Sequence, residues 1–174
     1  MRGANAKSIA RFGILLAMML VLGYFEQLIP VAPGLPGVKL GLANTVLLYA
    51  VYMMNKRQAA LLMLLKVTMS ALLYSGTVGA VYALSGGILS LAAMLLLKQV
   101  PKFSIIGVSV LGAVSHNIGQ LVAAALMVNT RALIGYLPVL LVSGAVTGVI
   151  TGVSAKYVLQ LLEKTEQLKH KKRP

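Results

Sequence analysis

A chain of 174 residues that is 59 % apolar and only 11 % charged departs from a soluble domain, which is roughly half apolar and a quarter charged, and belongs with membrane proteins. It has no cysteine, no tryptophan and no aspartate, its acids being Glu26, Glu163 and Glu166, so disulfides, thiolate chemistry and Cys-held metals or clusters are excluded. The net charge of +13 would point to nucleic acid in a soluble protein, but the cations lie in short clusters between long apolar runs, so no nucleic-acid partner is expected.

Crossing a bilayer takes about 20 apolar residues. Six candidate spans satisfy this in chain order: 8–29, 38–54, 58–75, 77–97, 103–128 and 133–161. The chain is thus expected to be an all-α integral membrane protein, a single transmembrane domain over residues 1–174 with a basic tail from about residue 162. The first span follows a basic start, as a cleavable leader would, but it runs on to Glu26-Gln27 without a small-residue cleavage site and is read as retained. The boundary between the third and fourth spans rests on Ser75-Gly76-Thr77 alone, room for a tight turn and nothing more.

With the N-terminus inside, the inner segments hold Arg2, Lys7, Arg11, Lys56, Arg57, Lys98, Lys102, Lys156 and the tail, and the outer ones only Lys39 and Arg131. This bias predicts both termini in the cytoplasm. The first outer loop, residues 29–39, carries Pro30, Pro33 and Pro36 with Gly34 and Gly37 and cannot be helical. Being apolar and rich in turns, it reads equally as a bare connector or as a lid over a cavity.

Small residues let helices approach closely in lipid. Gly144, Gly148 and Gly152 form such a stripe on the sixth span, Gly79, Ala83 and Gly87 on the fourth, and Gly13 and Ala17 on the first. Packing within the chain explains most of these; the first-span pair is the candidate for docking a partner.

Polar groups in the membrane are costly, and each one raises a functional hypothesis. Lys66 lies near the middle of the third span, too deep to reach water fully, and needs either a partner, for which Glu26 is the available acid, or an anionic ligand. Lys39 and Arg131 at the outer mouth would attract the same sign of ligand. On the fifth span His116 and Gln120 are four apart and share a face with Asn117 close by. Three strong hydrogen-bonding groups within about one turn point to a ligand site, and His116 would titrate near neutral pH. Asn44, Tyr74, Tyr82, Ser143 and Thr147 fall in the middle or outer half of their spans and complete a candidate pocket.

Much chemistry is missing. There is no phosphate-binding G-x-x-x-x-G-K-[ST] loop, no metal-ligand spacing and no credible Ser/His/acid triad, so neither metal nor other cofactor is expected. No internal repeat suggests an inverted-repeat transporter.

The segments Pro36-Gly37-Val38-Lys39-Leu40-Gly41-Leu42-Ala43-Asn44 and Ser115-His116-Asn117-Ile118-Gly119-Gln120 resemble the bacterial Gx transporter family, also labelled heptaprenyl diphosphate synthase component I. The layout is also similar to the S components of energy-coupling-factor vitamin transporters. That resemblance implies a six-helix bundle in the bacterial cytoplasmic membrane with an outward pocket capped by the first loop. It also implies that Gly13 and Ala17 dock on a transmembrane coupling subunit served by ATPases. A prenyl diphosphate synthase binds magnesium diphosphate through aspartate-rich motifs, and a chain without aspartate cannot be that catalytic subunit. The leading expectation is therefore a non-enzymatic substrate-binding transporter subunit for a small polar or anionic molecule. The alternative is a membrane scaffold in an isoprenoid, quinone or flavin electron-transfer system, which predicts a filled interior.

Overall fold

A computed structural model describes residues 6–28, 41–129 and 131–171, and among them all regular secondary structure is helical, with no strand. The helices are α1 (Ala6–Leu28), α2 (Leu42–Met53), α3 (Lys56–Ser70), α4 (Gly76–Leu97), α5 (Ile105–Val128) and α6 (Leu137–Lys171). A π-helical turn, Ala71–Ser75, joins α3 to α4, and a 3₁₀ segment, Arg131–Tyr136, leads into α6. Four helical stretches are long and apolar enough to cross a membrane: Ser8–Leu28, Lys56–Leu97, Ile105–Val128 and Leu133–Leu162. Large apolar side chains stand on the outside of these helices, among them Leu72, Leu96, Leu126 and Val142. Apolar exposure on this scale suits a surface solvated by lipid.

The Lys56–Leu97 stretch runs for 42 residues but does not run straight. Met63 and Gly87 would stand roughly 36 Å apart along a straight helix rising about 1.5 Å per residue. Instead, a Cβ placed on Gly87 would lie 2.9 Å from Met63 Sδ, so the chain doubles back and α3 packs against α4. The reversal sits at the π turn and at Gly76, whose φ of 66° and ψ of −178° are open to glycine almost alone. The tight turn expected at Ser75-Gly76-Thr77 is there, made by a π turn ending in this glycine.

The second span needs correction. Its helix covers only 12 residues, about 18 Å, too short to cross hydrocarbon by itself. Gly41, with φ 75°, stops it at one end and the extended Met54 at the other. Most of α2 is enclosed by the rest of the bundle, with Leu47, Leu48, Ala50 and Val51 almost fully buried. Side chains from elsewhere satisfy both of its ends. The buried Glu26 carboxylate of α1 accepts the Leu42 N–H at its start. The Lys98 ammonium, just past α4, donates to Val51 O at 2.7 Å at its finish and lies 5.0 Å from the Tyr52 ring. An anion at a helix N-terminus and a cation at its C-terminus both complement the helix dipole.

The other helix starts follow local rules. Asn55 and Gln58 form a reciprocal capping box at α3, with Gln58 N–H donating to Asn55 Oδ1 at 2.8 Å. Ser104 accepts the Gly107 N–H at 3.1 Å and caps α5.

Helix α5 is clasped between α4 and α6 by glycines. A Cβ on Gly148 would fall 2.6 Å from Val110 Cα, and one on Gly152 2.9 Å from Ile106 Cα, so the α6 stripe lies directly on the α5 backbone. Beside it, Ser109 and Thr151 share a buried hydroxyl hydrogen bond of 2.8 Å. On the other side Gly119 meets Ser85 O and Gly86 meets His116 O. The α4 stripe was expected at Gly79, Ala83 and Gly87. Gly87 does pack, against Met63, whereas the α4–α5 contact runs through Gly86 and leaves Gly79 and Ala83 facing an internal cavity.

Candidate functional site

At one end of the bundle the end of α1, the start of α2, the π turn, the start of α4, the second half of α5 and the start of α6 surround a cavity of about 410 Å³. That volume lies within the range of small-molecule sites, roughly 300–1,000 Å³.

On the α1 wall, Gly23 is what brings two α3-side groups close. A Cβ there would lie 2.7 Å from the Tyr74 hydroxyl and 3.8 Å from Lys66 Cε. The Tyr74 hydroxyl donates to Leu20 O at 3.3 Å, and its ring stands 5.8 Å from that of Tyr24. Lys66 is half-buried in mid-α3 and reaches α1 one turn before Glu26, so cation and carboxylate line the same space. Both are engaged in interactions within the protein, as buried charges must be.

The α5 wall presents His116, Asn117 and Gln120 together. Gly86 makes this possible, since a Cβ on it would lie 2.9 Å from both Gln120 Cγ and His116 Cε1. The Asn117 amide donates to Leu140 O of α6 at 2.7 Å, in space left by Gly144, so half of this side chain is already spent on helix packing. Asn44 of α2, Tyr82 of α4 and Gln120 differ from it. Each lines the cavity, and none of the three side chains has a hydrogen-bond partner among the described residues. Ser75 Oγ, in the π turn, is buried beside the cavity without a partner as well. The remaining wall is mostly apolar, with Leu121, Ala124 and Leu140.

Nine of the sequence-selected residues therefore meet at one cavity: Glu26, Asn44, Lys66, Tyr74, Tyr82, His116, Asn117, Gln120 and Thr147. Ser143 does not; its hydroxyl turns back to Leu140 O at 3.1 Å, while Thr147 one turn on does face the cavity. Lys39 and the 29–40 segment, where a lid or connector was expected, lie outside the described residues, as does the Arg131 side chain. Of the docking pair, Gly13 and Ala17 are both exposed, and a Cβ on Gly13 would meet nothing within 4 Å. The sequence reading overlooked Gly23, Gly86 and Ser75. Two glycines inside apolar helices were the available signal, since each costs helix stability unless a close approach requires it.

Among the described residues no group of His, Cys, Asp or Glu could hold a metal ion. The arrangement can bind: a mixed shell of amides, phenols, an imidazole, a carboxylate and an ammonium around a largely apolar space. Fold and cavity together define a helical membrane protein built around an internal, partly polar chamber. The model of the family described as heptaprenyl diphosphate synthase component I matches residues 15–158, and the chain belongs to that family. Comparison with curated proteins and with solved structures finds no match.

Proposed function

We propose that this chain is the substrate-binding membrane subunit of a bacterial transporter, taking a small polar or anionic molecule into the chamber beside α5. The observation that carries this reading is the convergence on one chamber of the polar groups of Asn44, Tyr82 and Gln120, which have no hydrogen-bond partner among the described residues. A few polar groups converging on a mostly apolar space are what a ligand would complete, and Lys66 and His116 line the same space. A filled interior, as a pure scaffold would have, does not fit a cavity of about 410 Å³.

In this reading the chain crosses the bacterial cytoplasmic membrane six times with both ends inside. Energy comes from partner subunits, because the sequence has no nucleotide-binding loop. The exposed Gly13–Ala17 face of α1 is the docking surface for a coupling subunit. The chain itself is non-catalytic.

The test is native mass spectrometry of the purified full-length protein with extraction of any co-purified metabolite. A bound small molecule that is lost in Asn44→Ala and Gln120→Ala, with unchanged melting temperature, is the expected result. A chamber that carries no small molecule in any preparation would overturn it. The family description favours a second reading, a non-catalytic membrane partner of a prenyl diphosphate synthase. It expects instead that the chain raises the activity of a separate catalytic subunit, and that Asn44→Ala and Gln120→Ala leave this effect unchanged.

A further inference from the structure

A second concavity, larger than the chamber, opens on the side of the bundle between α1, α2 and α6. It measures about 670 Å³ and shares no lining residue with the chamber. It exists because α2 is short and central: α1 and α6 both pack against α2 but scarcely against each other. Its walls are hydrocarbon, including Ile14, Leu15 and Met18 from α1, Val46 from α2, and Val158 and Leu162 from α6. Of its few polar side chains, Ser154 is already satisfied by Ile150 O at 2.9 Å. Arg11 stands at one end. Its guanidinium makes no hydrogen bond or ion pair among the described residues.

Shape and charge narrow the occupant. From Arg11 to Leu22 the apolar groove follows α1 for about 17 Å at about 1.5 Å per residue, close to half of the roughly 30 Å hydrocarbon core and so to the reach of one leaflet's acyl chains. A planar, permanently charged guanidinium at the end of such a slot suits a phosphate oxygen pair. One cation complements the single charge of a phosphodiester better than the several charges of a diphosphate. We propose that this groove holds one acyl chain of an anionic phospholipid, with the lipid phosphate on Arg11. Bound there, the lipid covers the side of α2 that neither α1 nor α6 covers.

The experiment uses the full-length protein in detergent, given phosphatidylglycerol, phosphatidylcholine with the same acyl chains, or a polyprenyl diphosphate, and read by native mass spectrometry. Phosphatidylglycerol should be retained as a single bound lipid, and the loss of one charge-assisted contact in Arg11→Gln should weaken retention about tenfold. Arg11→Lys should recover part of it, and Ala10→Trp, which fills the slot, should abolish it with the melting temperature unchanged. Asn44→Ala, in the separate chamber, should leave lipid retention as it is, so failure here is distinct from failure of the transport reading. Equal retention of the two phospholipids, no effect of Arg11→Gln, or a preference for the polyprenyl diphosphate would each overturn the proposal. A groove closed by a second copy or a bound protein would do the same.

Discussion

Two asparagines face the chamber and do different work. Asn117 spends its amide on Leu140 O, a bond that ties α5 to α6 at the chamber wall, whereas Asn44 makes no such bond among the described residues. Leu140 O keeps the Ser143 hydroxyl when Asn117 is removed, so the loss is that of one interhelical hydrogen bond, about 0.5–1.5 kcal/mol. Asn117→Ala should therefore lower the melting temperature in detergent as well as ligand retention. Asn44→Ala should reduce retention alone. Equal melting temperatures for the two variants would show that the Leu140 contact contributes nothing to the fold. The residue types that mark the chamber were legible in the sequence because Lys66, His116, Asn117 and Gln120 are conspicuous in apolar helices. Which of them were already committed was not legible. Spacing places Asn117 on a helix face, but only the approach of α6 through Gly144 tells that its amide is used.

Among the helices, the same distinction separates two kinds of glycine. Gly148 lies where any Cβ would strike the α5 backbone at 2.6 Å, while Gly13 has open space around it. Gly148→Ala must push α5 and α6 apart, and overpacking of this kind costs about 1–3 kcal/mol. Gly13→Ala replaces the poorest ordinary helix former with the best and should leave the isolated protein as stable or up to about 1 kcal/mol more so. Thermal unfolding of the purified variants checks both, and a Gly148→Ala protein that melts like the parent would mean that the stripe is not a packing surface. Helix positions were readable from hydropathy, with α1, α4 and α5 starting and ending within a few residues of expectation. The nature of α2 was not. A helix buried by its own protein and a helix bathed in lipid have the same apolar composition, and hydropathy cannot separate them. The charged clamps at its two ends, Glu26 and Lys98, come from residues remote in sequence and leave no local signature. The side groove was hidden for the same reason, since its lining residues read as ordinary lipid-facing positions.

For the whole molecule, the charge bias predicts the orientation in the membrane, and the chain offers a clean way to test it. With no native cysteine, any single introduced cysteine is the sole thiol. Lys102 lies between α4 and α5, Lys164 lies on the exposed far part of α6, and the short stretch 129–136 joins α5 to the start of α6. Six crossings with both ends inside put Lys102 and Lys164 on the cytoplasmic face and residue 131 on the opposite one. Lys102→Cys and Lys164→Cys should resist a membrane-impermeant maleimide in intact cells and react after permeabilisation, whereas Arg131→Cys should react from outside without it. The chamber and the Lys98 clamp depend on the same geometry: the chamber gathers at the end of the bundle where residues 131–136 lie, and Lys98 sits at the opposite end of α2. Labelling of residues 102 and 131 from the same side would remove the α5 crossing and, with it, the outward-facing chamber. Labelling of Lys102→Cys from outside with Arg131→Cys protected would invert the protein, turn the chamber toward the cytoplasm, and make uptake from outside through this site the wrong direction.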